Sequence, residues 1–341
     1  MDQFVGLDIS MEDTSVCVVN QLGQVTYEGV VATKPEAIAK VLRAKGALAI
    51  KILFETGALS NWLWHALNDA GFPVVCVDAR HTHKALSMRM NKSDKNDARG
   101  LADIARIGWY REVSVKSANN QLLRSLLSAR TKLVSLRRNL DNQIRGLCKG
   151  LGILFGKAGS VSLAKKVEAK LADAVELRPI IGPLILAQKC MSEQIESFDR
   201  QVLAIAKADE TACRLMTVPG VGPMTALSFM ATVDDPRRFK SSADVGAYFG
   251  LTPRRYQSGE IDRTGRISKW GDSLSRCCLY EAATVLLTVV RRGSALKRWG
   301  AKLVKRIGQK KARVAVARKL ATILHAIWSD GTEFQPEGQK I

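Results

Sequence analysis

The order of strands and helices expected in the first 110 residues restricts the fold more than any other feature of this 341-residue chain. Apolar residues recur there with the period of three consecutive strands and then of alternating helices and strands. Strands are expected at residues 3–9, 15–20, 24–31, 49–54 and 73–77, and helices at residues 35–45, 59–70, near 81 and 93–107. Three strands in a meander followed by alternating helices and strands predict a mixed α/β sheet.

Four carboxylates in this region are candidates for a single site. Asp8 lies inside the first strand, where a carboxylate among apolar residues is costly unless it is paired or binds a cation. Glu55 follows the fourth strand, and Asp94 and Asp97 share a helix face because they are three residues apart. The element order fits an RNase H-like domain, in which the first strand, the fourth strand and the last helix converge; other mixed α/β folds are the alternative. The four acids would then form a hard oxygen site for two divalent cations.

These acids also have structural interpretations. Asp94 and Asp97 fit the first turn of a helix, where the helix dipole favours negative charge. Glu55 can simply end a strand. Asp78 and Asp103 occupy similar positions in the chain and remain alternative acids.

The formal net charge of +20 is carried by residues 111–341, because residues 1–110 contain 12 basic and 12 acidic side chains. No carboxylate occurs between Glu281 and Asp330. The basic residues in that interval are Arg291, Arg292, Lys297, Arg298, Lys302, Lys305, Arg306, Lys310, Lys311, Arg313, Arg318 and Lys319. A run of one sign favours a nucleic-acid surface over a solvated face. The longest apolar run, residues 282–290, is shorter than the roughly 20 residues of a membrane span.

The cysteines and the N-terminal segment indicate a reducing compartment. The chain has 7 cysteines at irregular spacing and no Cys-x-x-Cys pair, which predicts free thiols rather than disulfides or a zinc site. The first residues lack the basic and then apolar pattern of a secretory signal. We therefore expect a cytoplasmic protein.

The middle of the chain predicts a helical arm. Residues 119–151 lack proline and carry leucine and isoleucine at helical spacing, and further helices are expected at residues 163–176 and 183–208. Such an arm can dimerise, bind nucleic acid or separate two domains. The expected domains are an RNase H-like α/β domain at 1–110, a helical coiled-coil arm at 111–210 and a basic, mostly α-helical domain at 211–341.

A glycine-rich turn in the last domain has the residues of a phosphate-binding helix connection. Gly220 and Gly222 lie in the string Val-Pro-Gly-Val-Gly-Pro between two apolar helical stretches. The string resembles the turn of a helix–hairpin–helix, in which backbone N–H groups and a helix N-terminus approach a phosphate. An ordinary Pro-Gly connection between helices is the alternative.

Ser258 lies within a second cluster of phosphate-binding residue types. The cations around it are Arg254, Arg255, Arg263, Arg266 and Lys269. Guanidinium groups bind phosphate oxygens, and a serine among them can attack phosphorus while the cations stabilise the added charge. The alternative is a Ser-Gly turn on a basic surface.

Together these motifs resemble those of the IS one-ten family of insertion-sequence transposases, which includes the Piv-type DNA invertases. The resemblance rests on Asp8, on Glu55 and on the string Lys92-Ser93-Asp94-Lys95-Asn96-Asp97-Ala98-Arg99, which match the family's DEDD tetrad. It rests also on the strings at residues 218–222 and 250–259, which resemble the family's C-terminal transposase domain. The motifs cover nearly the whole chain in the family's order.

The resemblance implies a transposase that acts as a site-specific DNA recombinase. It implies a RuvC-like first domain whose acids Asp8, Glu55, Asp94 and Asp97 bind Mg²⁺, and a covalent phosphoserine link between Ser258 and DNA. It further implies guidance by a bridge RNA encoded by the element, which pairs with donor and target double-stranded DNA. It also implies a homo-oligomer, from dimer to tetramer; in the tetramers of the family the acids of one subunit meet the serine of another.

Two other functions remain open at this point. One is a RuvC-like, structure-specific nuclease that hydrolyses DNA with water and uses no serine intermediate. The other is a nucleic-acid-binding protein without catalytic activity, in which the acidic residues bind no metal.

Overall fold

A computed structural model describes residues 2–87, 93–156, 159–173 and 175–337. Lys92, which belongs to one of the family-like strings, lies outside these residues. The chain divides into two compact units, Met1–Lys116 and Ser117–Ile341. The helices of the expected arm therefore belong to the same unit as the C-terminal helices.

The N-terminal unit contains a five-stranded mixed sheet. Its strands are β1 (Gln3–Ile9), β2 (Asp13–Asn20), β3 (Val25–Ala32), β4 (Ala49–Glu55) and β5 (Val74–Val77). The spatial order is β3-β2-β1-β4-β5; β2 pairs antiparallel with β1 and β3, whereas β4 pairs parallel with β1 and β5. The predicted meander therefore forms one half of the sheet and the crossover strands form the other.

Helices cover both faces of this sheet. They are α1 (Pro35–Lys45), α2 (Ser60–Asp69), α3 (Ala79–Leu86) and α4 (Asp94–Ile107). Val5 and Leu7 pack with α1 and α2 on one face, whereas Phe4 packs with α4 on the other. At Gly6 the α4 backbone comes so close that a Cβ atom would lie 2.0 Å from the carbonyl oxygen of Ala98. Glycine therefore sets how tightly α4 lies on the sheet.

The C-terminal unit is mostly helical, so the α/β and α classes expected from the sequence are both confirmed. Its helices are α5 (Ala118–Gly150), α6 (Ser160–Asp173), α7 (Arg178–Ala208), α8 (Glu210–Met216), α9 (Pro223–Val233), α10 (Ser242–Tyr248), α11 (Ser273–Thr288), α12 (Ala295–Ile307) and α13 (Gln309–Asp330). Helix α9 is buried over most of its length within a core that α11 and α13 complete. The long helices α5 and α7 pack together, with an ion pair of 2.8 Å between Arg130 and Asp199.

Two segments of this unit differ from the sequence-based expectation. Helix α7 begins at Arg178 rather than at Pro183: Pro179 lies in its first turn, where proline is tolerated, and Pro183 lies inside the helix. The segment around Ser258, where no strands were expected, forms a hairpin of β6 (Pro253–Ser258) and β7 (Ile261–Ile267). Both strands are almost wholly exposed, so the hairpin has no apolar alternation by which the sequence would indicate it.

All seven cysteines are free thiols, and four of them are buried. Burial raises the pKa of Cys17, Cys76 and Cys278 to about 11 in each case, so these thiols stay protonated at neutral pH. Within the described part of the chain, no helix is long and apolar enough to cross a membrane.

Candidate functional site

The carboxyl ends of β1 and β4 place two acids side by side. Leu7 pairs with Phe54 in the parallel ladder, so Asp8 and Glu55 are the next residues of two neighbouring strands. Leu7 and Phe54 both pack toward α1 and α2. Because side chains alternate along a strand, Asp8 and Glu55 face the opposite side of the sheet, which α4 covers. Both side chains are half-buried.

The direction of α4 brings the other two acids toward this end of the sheet. Arg106, in the last turn of α4, contacts Gly23 in the β2–β3 hairpin, which lies beside the start of β1. The first turn of α4, with Asp94 and Asp97, therefore points toward the carboxyl end of β1, where Asp8 lies. Ser93 caps this turn by accepting a hydrogen bond from the Asn96 backbone N–H.

An ion pair anchors the same turn to the sheet. Lys95 Nζ lies 2.7 Å from Glu28 Oε2 on β3, and the Glu28 side chain is mostly buried. The contact holds a residue between Asp94 and Asp97 against the strand layer. We name the four acids Asp8, Glu55, Asp94 and Asp97 the acidic edge.

Glu55 is held by a buried hydroxyl group. Thr82 on α3 is fully buried, and its Oγ1 donates a hydrogen bond of 2.5 Å to Glu55 Oε1. Among the described residues, no hydrogen bond reaches the second oxygen of the Glu55 carboxylate. A small pocket of about 190 Å³ opens beside it, and its lining includes Asp8, Glu55 and Ser10.

The acidic edge fits a divalent cation by the chemistry of its donor groups. Carboxylate oxygens are the ligands that Mg²⁺ prefers, and Asp8 and Glu55 present them from adjacent strand ends. Among the residues that the structure describes, no group of three His, Cys, Asp or Glu side chains is close enough to hold a metal ion. The acidic edge therefore has two acids at adjacent strand ends and two more on the first turn of α4, and it is not a closed set of metal ligands.

The two alternative acids have structural roles elsewhere in this unit. Asp78 caps α3 and pairs with Arg80 at 3.3 Å. Burial raises the pKa of the Asp78 carboxyl, but hydrogen bonds from Arg80 outweigh burial and lower it overall. Asp103 lies 4.0 Å from Arg106 in the C-terminal half of α4, away from the end that carries Asp94 and Asp97.

Ser258 lies at the tip of the β6–β7 hairpin in the C-terminal unit. It is the last residue of β6, is exposed and pairs across the ladder with Ile261. A tight turn at Gly259, with φ of +56°, follows it. The hairpin thus presents the Ser258 hydroxyl to solvent on a two-stranded projection.

The cations near Ser258 differ in their surroundings. Arg255 makes two hydrogen bonds, of 2.9 and 2.6 Å, with the two carboxylate oxygens of Asp262. This guanidinium lowers the pKa of the Asp262 carboxyl. Arg254 donates to the carbonyl oxygen of Ser268 at 3.1 Å. Two of the predicted phosphate-binding residues therefore have partners within the hairpin region.

The remaining cations of this cluster are Arg263 and Arg266 on β7 and Lys269 just after it, and all three are exposed. Lys269 has a φ of +57°, which is uncommon for a residue with a side chain. It lies against Gly250, where a Cβ atom would be 2.1 Å from the Trp270 carbonyl oxygen. The base of the hairpin is thus fixed by a close backbone contact.

The two glycines of the predicted phosphate turn have different environments. Gly220 has a φ of +94°, and a Cβ atom there would lie 2.5 Å from the Ala282 carbonyl oxygen on α11. Its role in the structure is close packing. Gly222 precedes α9 at the N-cap position, and a Cβ atom there would meet nothing within 4 Å. Gly222 therefore leaves open space at a helix N-terminus.

The basic run forms the exposed faces of α12 and α13. Lys302, Lys305 and Arg306 on α12 are exposed, as are Lys310 and Lys311 at the start of α13. The opposite faces of these helices join the core. This concentration of one sign gives the unit a strongly positive surface.

Two residues that shape the acidic edge, Thr82 and Gly6, were not among the residues expected from the sequence. Thr82 has no sequence signal, because its contact with Glu55 depends on how α3 returns to the end of β4. Gly6 did have a signal, since a glycine inside a strand often marks a close backbone approach.

Comparisons with known proteins place these observations in a family. Residues 212–299 match the model of the Transposase IS116/IS110/IS902 family, and residues 5–152 match a transposase model for DEDD proteins of the IS110 type. The first match contains the Ser258 hairpin, and the second contains all four residues of the acidic edge.

Curated relatives agree with the family models. The chain is 30% identical over 331 residues to the transposase for insertion sequence element IS1111A of Coxiella burnetii, covering 95% of this chain and 89% of that protein. It is 30% identical over 288 residues to the transposase for insertion sequence element IS1328 of Yersinia enterocolitica, covering 83% and 85% of the two chains. It is 29% identical over 148 residues to the pilin gene-inverting protein of Moraxella bovis, covering 40% and 44%. This chain therefore belongs to the IS110 family of insertion-sequence transposases.

Proposed function

We propose that this transposase is a bridge-RNA-guided, Mg²⁺-dependent DNA recombinase that breaks and rejoins strands through a phosphoserine at Ser258. The observation that carries the proposal is the placement of Asp8 and Glu55 at adjacent strand ends in a chain that also presents Ser258 on an exposed basic hairpin. The first feature suits phosphoryl transfer, and the second supplies a nucleophile that can keep the DNA attached.

The N-terminal unit is assigned the metal-dependent part of the reaction. Its strand order, with three antiparallel strands followed by two parallel ones, supports a RuvC-like domain. Asp8, Glu55, Asp94 and Asp97 would hold Mg²⁺, which supplies positive charge to the phosphate in the transition state. Thr82 fixes one oxygen of Glu55, and the Lys95–Glu28 pair fixes the first turn of α4.

Ser258 is assigned the nucleophilic step. Its Oγ forms a bond to phosphorus while the phosphorus–oxygen bond to one deoxyribose breaks. The serine hydroxyl loses its proton to solvent, and the released deoxyribose oxygen gains one. The phosphoserine ester conserves the energy of the broken bond, so attack by a deoxyribose hydroxyl of another strand rejoins DNA without ATP.

The basic C-terminal unit is assigned the nucleic-acid partners. Cations on α12, α13 and the hairpin suit donor and target DNA and a bridge RNA encoded by the element. The packed helices α5 and α7 suit an arm through which dimers form tetramers. The division into residues 1–110, 111–210 and 211–341 and a cytoplasmic location belong to the same proposal, and the free thiols support the location.

A covalent-adduct assay separates this proposal from a hydrolytic nuclease. The protein is mixed with its element-derived RNA, Mg²⁺ and labelled donor and target DNA, and the denatured protein is examined for label. We expect an adduct that is lost in both Ser258→Ala and Asp97→Ala. Cleaved DNA without an adduct, retained in Ser258→Ala, would instead establish the nuclease. Asp8→Ala with every activity intact would indicate a binding protein without catalysis.

A further inference from the structure

We propose that Arg263 and Tyr256 form the DNA-contacting face of the hairpin, with Arg263 on the phosphate that Ser258 attacks and Tyr256 against a neighbouring base. Arg255 lies on the other face, where it pairs with Asp262 rather than binding the phosphate. This inference rests on the proposed function, because it assigns roles around the same serine.

The ladder register separates the two faces. Ser258 pairs with Ile261 and Tyr256 pairs with Arg263, and partners directly across an antiparallel ladder share a face. Side chains alternate along each strand, so Ser258, Tyr256 and Arg263 lie on one face. Arg255 lies on the other.

The contacts of the hairpin agree with this assignment. Arg255 pairs with Asp262, which lies opposite Gln257 and therefore on the second face. A Cβ atom at Gly265 would come within 3.2 Å of the Tyr256 ring, which places Gly265 under that ring on the first face. Two independent contacts thus give the same division as the register.

The reach of Arg263 suits a phosphate at Ser258. Arg263 is the diagonal neighbour of Ser258 across the ladder, and diagonal neighbours lie about 7–8 Å apart, within reach of long side chains. In the described part of the chain, the Arg263 side chain has no hydrogen-bond or salt-bridge partner. Its guanidinium is therefore available to bind two phosphate oxygens. The Arg255 guanidinium is engaged with a carboxylate.

Tyr256 has the geometry of a stacking platform. Its side chain is 58% exposed, although it is aromatic and lies in the middle of a strand. Gly265 lies under the ring and orients it without covering its outer surface. Exposed aromatic rings beside cations are the groups on which unpaired bases stack, and stacking tolerates any sequence. This suits a recombinase whose sequence choice is assigned to RNA.

Alanine variants of Arg263 and Arg255 test whether Arg263 binds the phosphate that Ser258 attacks. With bridge RNA, Mg²⁺ and saturating DNA, we expect Arg263→Ala to slow adduct formation about 100-fold, and Arg263→Lys to recover part of the rate. The matched control Arg255→Ala should slow it less than about fivefold, because an exposed ion pair contributes little. A larger effect for Arg255→Ala than for Arg263→Ala would overturn the inference. Absence of any adduct in the unaltered protein would instead overturn the proposed function.

Binding to DNA with one neutral linkage gives a second readout. A methylphosphonate replaces the attacked phosphate, and affinity is measured with bridge RNA in a Ser258→Ala background that does not cleave. We expect the neutral linkage to weaken binding unless Arg263 is also changed to alanine. Equal weakening with and without Arg263 would show that this side chain does not contact that phosphate.

An abasic nucleotide tests Tyr256 in the same way. Removing the base next to the attacked phosphate should weaken binding by about tenfold in the Ser258→Ala background, and Tyr256→Ala should remove that difference. Tyr256→Phe should behave like the parent, since stacking needs the ring and not the hydroxyl. Retention of the full abasic effect in Tyr256→Ala would exclude the stacking role.

Discussion

The acidic edge and the serine hairpin present their functional groups in opposite ways. Asp8 and Glu55 extend directly from buried strands, and Thr82 and Gly6 fix the layers around them. Ser258 lies on a hairpin whose strands bury almost nothing and whose strongest side-chain contact is an exposed ion pair. The comparison indicates that the fold sets the geometry of the acids, whereas under the proposed function binding of DNA would set much of the geometry around the serine.

Removal of a carboxylate from the acidic edge should give the largest effect. We expect Asp8→Asn to reduce strand cleavage at least about 1,000-fold, because the neutral amide keeps the shape but loses the charge that holds a divalent cation. Circular dichroism and the thermal midpoint should change little. A variant that retains more than a tenth of the activity would remove Asp8 from the site.

Gly6→Ala should test whether packing fixes the acidic edge. The new Cβ atom would collide with the backbone of α4, so we expect the N-terminal unit to lose about 3 kcal/mol of unfolding free energy. Gly146→Ala is the matched control, because it lies in helix α5 with nothing within 4 Å of its Cβ position. That change should stabilise the C-terminal unit by about 0.5–1 kcal/mol. Equal changes in unfolding free energy for the two substitutions, measured in denaturant titrations, would show that close packing at Gly6 does not fix the acidic edge.

The glycine turn should separate a packing role from a binding role. Gly220→Ala should cost about 2 kcal/mol of stability, because a positive φ and a close contact with α11 both oppose a Cβ atom. Gly222→Ala should cost less than about 1 kcal/mol. If Gly222 contacts a phosphate, that variant should weaken DNA binding while its thermal midpoint stays nearly unchanged. Unchanged DNA affinity in Gly222→Ala would indicate that the turn is an ordinary connection between two helices.

Alkylation of thiols should have the smallest effect on the protein, and it reports the accessibility of the cysteines in each unit separately. In the N-terminal unit, Cys17 and Cys76 are buried, so an alkylating reagent does not reach them. Burial also raises the pKa of each thiol to about 11, so both are protonated at pH 8. In the C-terminal unit, Cys190, Cys213 and Cys277 are exposed. Iodoacetamide should therefore label only these three in the native protein, as peptide mapping can verify. Rapid labelling of Cys17 would show that the sheet opens under native conditions.

The same contrast explains what the sequence could predict. Strand β1 and helix α1 form over the residues expected, because their apolar periodicity is strong and each buries one face. The β6–β7 hairpin was not expected, because a hairpin that buries nothing has no apolar alternation. Sequence periodicity therefore predicts the elements that the core stabilises.

The candidate site follows the same rule. The proximity of Asp8 and Glu55 could be expected once the strand order was inferred, since parallel neighbours end at the same edge. The Arg255–Asp262 ion pair could not be expected, because it depends on a strand register that the sequence leaves open. For that reason the sequence suggested Arg255 as a phosphate ligand. That assignment stays a prediction, and the strand register argues against it.

Peptide mapping of the covalent adduct identifies the residue to which the DNA is attached. The protein is incubated with bridge RNA, Mg²⁺ and substrate DNA, the DNA is digested to a short tag, and the tagged peptide is identified by mass spectrometry. We expect a nucleotide phosphate on Ser258 and on no other residue. Efficiently cleaved DNA with an unmodified Ser258 peptide, or with the tag on another side chain, would contradict it.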